Sequence, residues 1–122
     1  MTTIPSPDPT ALDAAEEVEI ETRAADGTVH RTIIWVVVDD GRVYVRSVRG
    51  AIARWYREAL ARPDVALHVD GRRIPFRAVP AADAASVEAC SAGLRRKYRR
   101  SYSLRSMLRP EILDTTLRLD PA

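Results

Sequence analysis

Two periods alternate along the chain. Val18, Ile20 and Thr22 interleave with Glu19, Glu21 and Arg23, a period of two that predicts a strand with one buried face. Ala25-Asp26-Gly27 then reads as a turn. From Val29 to Val38 the pattern is different, because Ile33–Val38 is apolar at odd and even positions alike. This predicts a single strand covered on both faces, by a barrel interior and by a helix or second subunit. Asp40-Gly41 is a type I′ hairpin pair, and Val43–Val45 returns as the next strand. Beyond Gly50 the period changes to that of a helix. Ile52, Trp55, Tyr56, Ala59 and Leu60 form one stripe, with Arg54, Arg57 and Glu58 on the opposite, wet side, and Pro63 ends it.

Val65, Leu67 and Val69 alternate again, Asp70-Gly71 turns the chain, and Arg73–Val79 pairs back, with Pro75 suited to an edge or bulge. Ala82–Tyr98 predicts a second helix carrying Val87, Cys90, Leu94 and Tyr98 on one face. Its last turn, Arg95-Arg96-Lys97, complements the negative end of the helix dipole. Residues 99–109 read as irregular or a short helix, and Ile112–Leu119 as a closing strand. The expected order is β-β-β-α-β-β-α-β, a mainly β (α+β) fold with two helices. Six hairpin-linked antiparallel strands gain most by closing into a barrel, which removes exposed edges. Residues 1–10, with three prolines, read as a disordered arm, with a helical turn over Leu12–Glu17. Residues 11–122 form one domain.

Composition adds an asymmetry. The 122 residues carry a net charge of only +2. Residues 1–41 hold two arginines against nine carboxylates (net −7), residues 42–109 fifteen arginines and one lysine against five carboxylates (net +11), and residues 110–122 one arginine against three (net −2). The middle of the chain should attract anions. Arginine, far more frequent than lysine here, favours planar, bidentate recognition of phosphate or carboxylate. The single Cys90 forms no internal disulfide. The N-terminus lacks a secretory pattern and no run is long enough to span a membrane, so the expected compartment is the cytosol.

The segment RTIIWVVVDDGRVYVRSVRGAIARWYREALARPDVALHVDG resembles the split β-barrel flavin-binding superfamily. This includes pyridoxamine-phosphate oxidase relatives and deazaflavin-dependent nitroreductases. The resemblance rests on Ser47 at a strand end, Gly50 in the loop, Trp55-Tyr56 on the helix, Arg62-Pro63, and the strand Val65–Val69. An uncharacterised branch of that superfamily also has a Lys-Tyr pair, here Lys97-Tyr98. The resemblance implies FMN or a deazaflavin lying in a groove at a homodimer interface, with a small organic substrate reduced or oxidised over the ring. It implies Arg31, Thr32, Arg46, Ser47, Arg49 and Arg54 on the phosphate side and Trp55 near the ring.

Other chemistry is sparse. No P-loop, GxGxxG or GxSxG is present, and His30 and His68 lack metal-ligand spacing. No acid, base or nucleophile stands out as catalytic, which suits a protein whose cofactor carries the chemistry. The cluster Arg95, Arg96, Lys97, Arg99 and Arg100, interleaved with Tyr98 and Tyr102, leaves an alternative open: a cofactor-free barrel with a basic face for nucleic acid or another polyanion. No RNA- or DNA-binding motif surrounds it. Arg46, Ser47, Arg49 and Arg54 should converge on one concave site in the first case and spread over a convex face in the second.

Overall fold

The computed structural model describes residues 9–122. The arm expected over 1–10 lies outside the described residues up to position 8, and its last two residues open α1 (Pro9–Ala14). Seven strands follow: β1 (Val18–Arg23), β2 (Val29–Ile34), β3 (Val37–Asp39), β4 (Arg42–Val45), β5 (Asp64–Val69), β6 (Arg72–Pro80) and β7 (Leu117–Pro121). The helices are α2 (Arg54–Ala61), α3 (Ala84–Lys97) and the short α4 (Leu104–Met107), with 3₁₀ turns at Gly50–Ile52 and Pro110–Thr115. None is long and apolar enough to cross a membrane.

All strands form one antiparallel sheet in the order β2-β1-β5-β6-β7-β4-β3. Its two edge strands, β2 and β3, are consecutive in the chain. Only Trp35 and Val36 separate them, and two residues reach no more than about 10 Å. The sheet must therefore curl until its edges nearly meet, which makes a barrel split along one seam.

The strand count corrects the expectation of six. The Val29–Val38 run bends at Trp35–Val36 and serves two edges. Its apolar residues fill two cores rather than one: Val36 joins the barrel interior with Ile20, Leu67, Phe76 and Leu119, whereas Val37 packs with Tyr44, Cys90 and Leu94 under α3. Ile33 faces outward, 63% exposed. The closing strand is also shorter than expected, because residues 110–115 form a 3₁₀ turn whose Ile112 and Thr115 are buried. The stripe on α2 narrows to Trp55, Tyr56 and Ala59, with Ile52 and Leu60 exposed.

Both Asp-Gly pairs form two-residue hairpins with positive φ at both central residues: Asp40 and Gly41 at 51° and 74°, Asp70 and Gly71 at 51° and 73°. That is the type I′ geometry, whose twist matches the flanking strands. Pro75 sits where β6 outruns β7, whose pairing starts at Phe76, so its missing N–H removes no bond on that side.

The seam is held by the end of α3. Tyr98 stacks on Trp35 with ring centroids 3.9 Å apart. Its hydroxyl donates to the Glu16 carbonyl at 2.6 Å. Lys97 Nζ donates to the carbonyls of Leu12 at 3.0 Å and Val36 at 2.6 Å. Burial pushes this ammonium down to about 8. One Lys-Tyr pair thus ties α1 and the β2–β3 bend to the same helix end.

Candidate functional site

A groove of about 430 Å³ runs beside the seam, within the usual range of small-molecule sites. One wall is Thr32–Trp35 from β2 and the bend. The other is Arg46–Arg49, after β4. Ala53, Arg54 and Trp55 at the start of α2 close one side, Ser103 and Met107 another, and Glu17 stands at the rim. Both tryptophans of the chain line this groove.

Six of the seven residues expected from the sequence meet here: Thr32, Arg46, Ser47, Arg49, Arg54 and Trp55. Arg31 does not. It donates to Glu19 Oε1 at 3.1 Å on the exposed side of the β1–β2 pair.

The six differ in what their polar groups already do. Arg46 is neither an open phosphate grip nor a solvated strand end, being 2% exposed. Its Nε donates to Thr116 Oγ1 at 2.9 Å, Nη1 to Ser91 Oγ and the Met107 carbonyl, both at 3.0 Å, and Nη2 to the Val87 carbonyl at 3.1 Å. A guanidinium presents five N–H donors in a rigid fork, and these four acceptors come from α3, α4 and the approach to β7. All are uncharged, and burial lowers the pKa of the group. Arg46 thus pins the groove wall from behind. Ser47 is also buried. Its hydroxyl donates to the Gly50 carbonyl at 2.8 Å and its N–H to Thr115 Oγ1 at 3.1 Å, closing a turn in which Gly50 takes φ +71°.

Arg49 is exposed, with no hydrogen-bond or ion-pair partner among the described residues. Arg54, its side chain 52% exposed, reaches Thr32 Oγ1 at 3.4 Å and lies 3.9 Å from Glu58 Oε1. These two cations are the ones available to a ligand. Trp55 is 6% exposed and packs edge-on against Tyr56, centroids 6.2 Å apart, so it belongs to the core and offers the groove one side of its ring.

Several neighbours carry no signal of their role in the sequence pattern. Glu58, expected on the wet side of α2, is 9% exposed. Burial works to raise its carboxyl, but the Thr22 hydroxyl and His30 outweigh that and hold it below the usual glutamate range. Trp35, Ser103 and Met107 reach the groove from distant parts of the chain. His68 Nε2 lies 2.9 Å from Glu21 Oε1. Glu21 also receives two bonds from Arg73, at 3.0 and 2.9 Å. The Arg73 bonds, aided by His68 and opposed by burial, bring its carboxyl down to about 2. Cys90 is fully buried and its thiol is raised to about 11, so it is a core residue. Among the described residues no group of three or more His, Cys, Asp or Glu is placed to hold a metal.

A family model described as an uncharacterized protein conserved in bacteria matches residues 8–119. No curated protein matches the sequence. Among solved structures, an F420 reductase superposes with a TM-score of 0.64 at 17% identity, over 98% of this chain and 96% of that one. The heme storage protein of Vibrio cholerae gives 0.65 at 14%, over 93% and 86%. A Listeria innocua protein provisionally assigned as a pyridoxamine 5′-phosphate oxidase gives 0.66 at 14%, over 92% and 88%. The fold is therefore that of the pyridoxamine-phosphate oxidase-like and F420-reductase split barrels.

Proposed function

The chain belongs to the DUF2255 family of uncharacterized bacterial proteins, and from that premise we propose that it binds a flavin or deazaflavin in the seam groove and acts as an oxidoreductase on a small organic substrate. The observation that carries this reading is convergence. Arg46, Ser47, Arg49 and Arg54, all from the segment running from the end of β4 into α2, border one concave site together with both tryptophans and with Thr32 from β2.

The groove's chemistry fits such a ligand. Arg49 and Arg54 offer charge-assisted hydrogen bonds to a phosphate, while Ile33, Ile34, Trp35 and Trp55 provide an apolar wall for a planar ring. Arg46 and Ser47 keep the wall rigid from inside, so it need not be ordered on binding. When bound, the cofactor supplies hydride transfer. The protein binds and orients the ring, excludes water, and leaves Glu17 as the carboxylate at the rim.

The groove is open, and its surroundings carry exposed apolar side chains: Ile33 at 63%, Val48 at 43% and Ile52 at 70%. A second copy laid over this rim would bury them and shield the ring. Sedimentation should give a dimer at micromolar concentration, and a monomer there would remove the shield this reading needs.

A second reading has its own observation. Arg99, Arg100 and Arg105 are exposed without partners among the described residues, beside Tyr102, which is fully exposed. Such a surface suits a polyanionic partner. Titration with FMN and with a deazaflavin, followed by ligand absorbance, separates the two. Saturable micromolar binding of either supports the first reading. Absence of both overturns it and leaves the basic surface as the lead.

A further inference from the structure

Behind Arg54 lies a cluster that ligand binding as described does not use. Glu58 sits one turn further along α2. Its Oε1 accepts the Thr22 hydroxyl at 2.7 Å, and His30 Nδ1 stands 3.1 Å from both carboxylate oxygens. Thr22 and His30 are directly paired across β1 and β2, so the sheet presents a hydroxyl and an imidazole together to the helix. Arg54 Nε is 3.9 Å from the same Oε1. One nearly buried carboxylate therefore faces a standing cation, Arg54, which borders the groove, and an imidazole that becomes a second cation when protonated.

We propose that Glu58 is shared between Arg54 and His30, and that protonation of His30 frees Arg54 for the anionic group of the groove's ligand. The inference rests on the reading of the groove as an anion-binding site. With Nδ1 against an acceptor, the ring carries a hydrogen there in either charge state. The neutral ring gives Glu58 one hydrogen bond, while the protonated ring also gives it a full charge. Glu58 then has less pull on Arg54, whose other polar contact among the described residues is the long bond to Thr32. Among the described residues, His30 meets Glu58 from α2 and is paired with Thr22 of β1; Arg54 is reached only through Glu58, and Asp26 lies in the intervening turn. Asp26 is held first by Thr28, at 2.9 Å from its backbone nitrogen. Glu58 and His30 are thus positioning residues, acting on the ligand through Arg54. Linkage requires the converse, that an anion on Arg54 favours protonated His30.

The test compares wild type, Glu58→Gln and His30→Gln, titrated with FMN at pH 8 and pH 5.5. The phosphate's own ionisation is common to all three and cancels in the comparison. An ion pair whose arginine is half exposed is worth a few-fold in an equilibrium, so Glu58→Gln should bind roughly threefold tighter than wild type at pH 8. His30→Gln should match wild type at pH 8 and lack its relative gain at pH 5.5. Weaker binding by Glu58→Gln, or the same pH response in His30→Gln as in wild type, overturns the proposal. A ligand-free arm follows the Arg54 Nε–Hε NMR resonance with pH. It should move with the His30 ring signals in wild type and stay still in His30→Gln. If it does not track His30, the coupling is absent whether or not a flavin binds. If it does and neither FMN nor a deazaflavin is bound, the cofactor reading fails while the coupling stands.

Discussion

Replacing Arg46 by alanine should cost about 4 kcal/mol of folding stability. The side chain is 2% exposed and its fork meets four acceptors. Ser91 and Thr116 are hydroxyls that can turn to other partners, and Thr116 already donates to the Leu113 carbonyl at 2.8 Å. The carbonyls of Val87 and Met107 cannot turn, and each buried acceptor left bare costs about 1 kcal/mol or more. The two stem methylenes lost beyond Cβ add about 0.8 kcal/mol each. No buried charge is stranded, because the charge leaves with the side chain. Arg46→Met keeps the stem and loses the donors, so it should cost about half as much. For a domain this size the urea slope is about 2 kcal/mol/M. The midpoint by far-UV circular dichroism should then fall by about 2 M for alanine and about 1 M for methionine. An alanine variant with an unchanged midpoint but lost flavin affinity would refute the reasoning, since it would place the guanidinium in the groove.

Three further outcomes follow from other contacts. Arg49→Ala and Arg54→Ala should each weaken FMN or deazaflavin binding about tenfold at constant urea midpoint, because both side chains are exposed and bond the ligand with charge assistance; absorbance titration reads this. Glu21→Gln should lose about 1–2 kcal/mol at pH 6, where the Arg73 and His68 bonds act on a carboxylate. Glu21 titrates near 2 in the folded protein, below its unfolded range. Its contribution is therefore complete above the unfolded range and lost as pH falls through 2, and the two proteins' urea midpoints should converge there. Tyr98→Phe should cost about 1 kcal/mol and speed amide exchange in α1 and the Trp35–Val37 bend; uniform acceleration would deny the hydroxyl its local role.

The hairpins were legible because their information is local. A period of two and an Asp-Gly pair define β5–β6 without reference to the rest of the chain. The bend at Trp35–Val36 was not, because Ile33–Val38 is apolar throughout and nothing in it distinguishes one long strand from two short ones serving different cores. Residues 112–119 misled in the opposite way, their apolar positions passing through a 3₁₀ turn into β7. In the site, Arg49, Arg54 and Thr32 were readable from the strand–loop–helix order. The burial of Arg46 and Glu58 was not, since it depends on partners from 28 to 70 residues away. A charged residue in a sequence reads as wet until its partners are known.

The strand order also governs how the molecule is assembled. β7, last of the seven in sequence, lies between β6 and β4. Until it arrives, β2-β1-β5-β6 and β4-β3 have no strand pairing to each other, and each presents a bare central edge rather than a finished one. A nascent chain therefore carries two sheet fragments that only residues 117–121 can join, and folding from the N-terminus cannot run to completion piece by piece. Pulse-labelled exchange during refolding should show the β4–β7 and β6–β7 amides gaining protection together, in the final step.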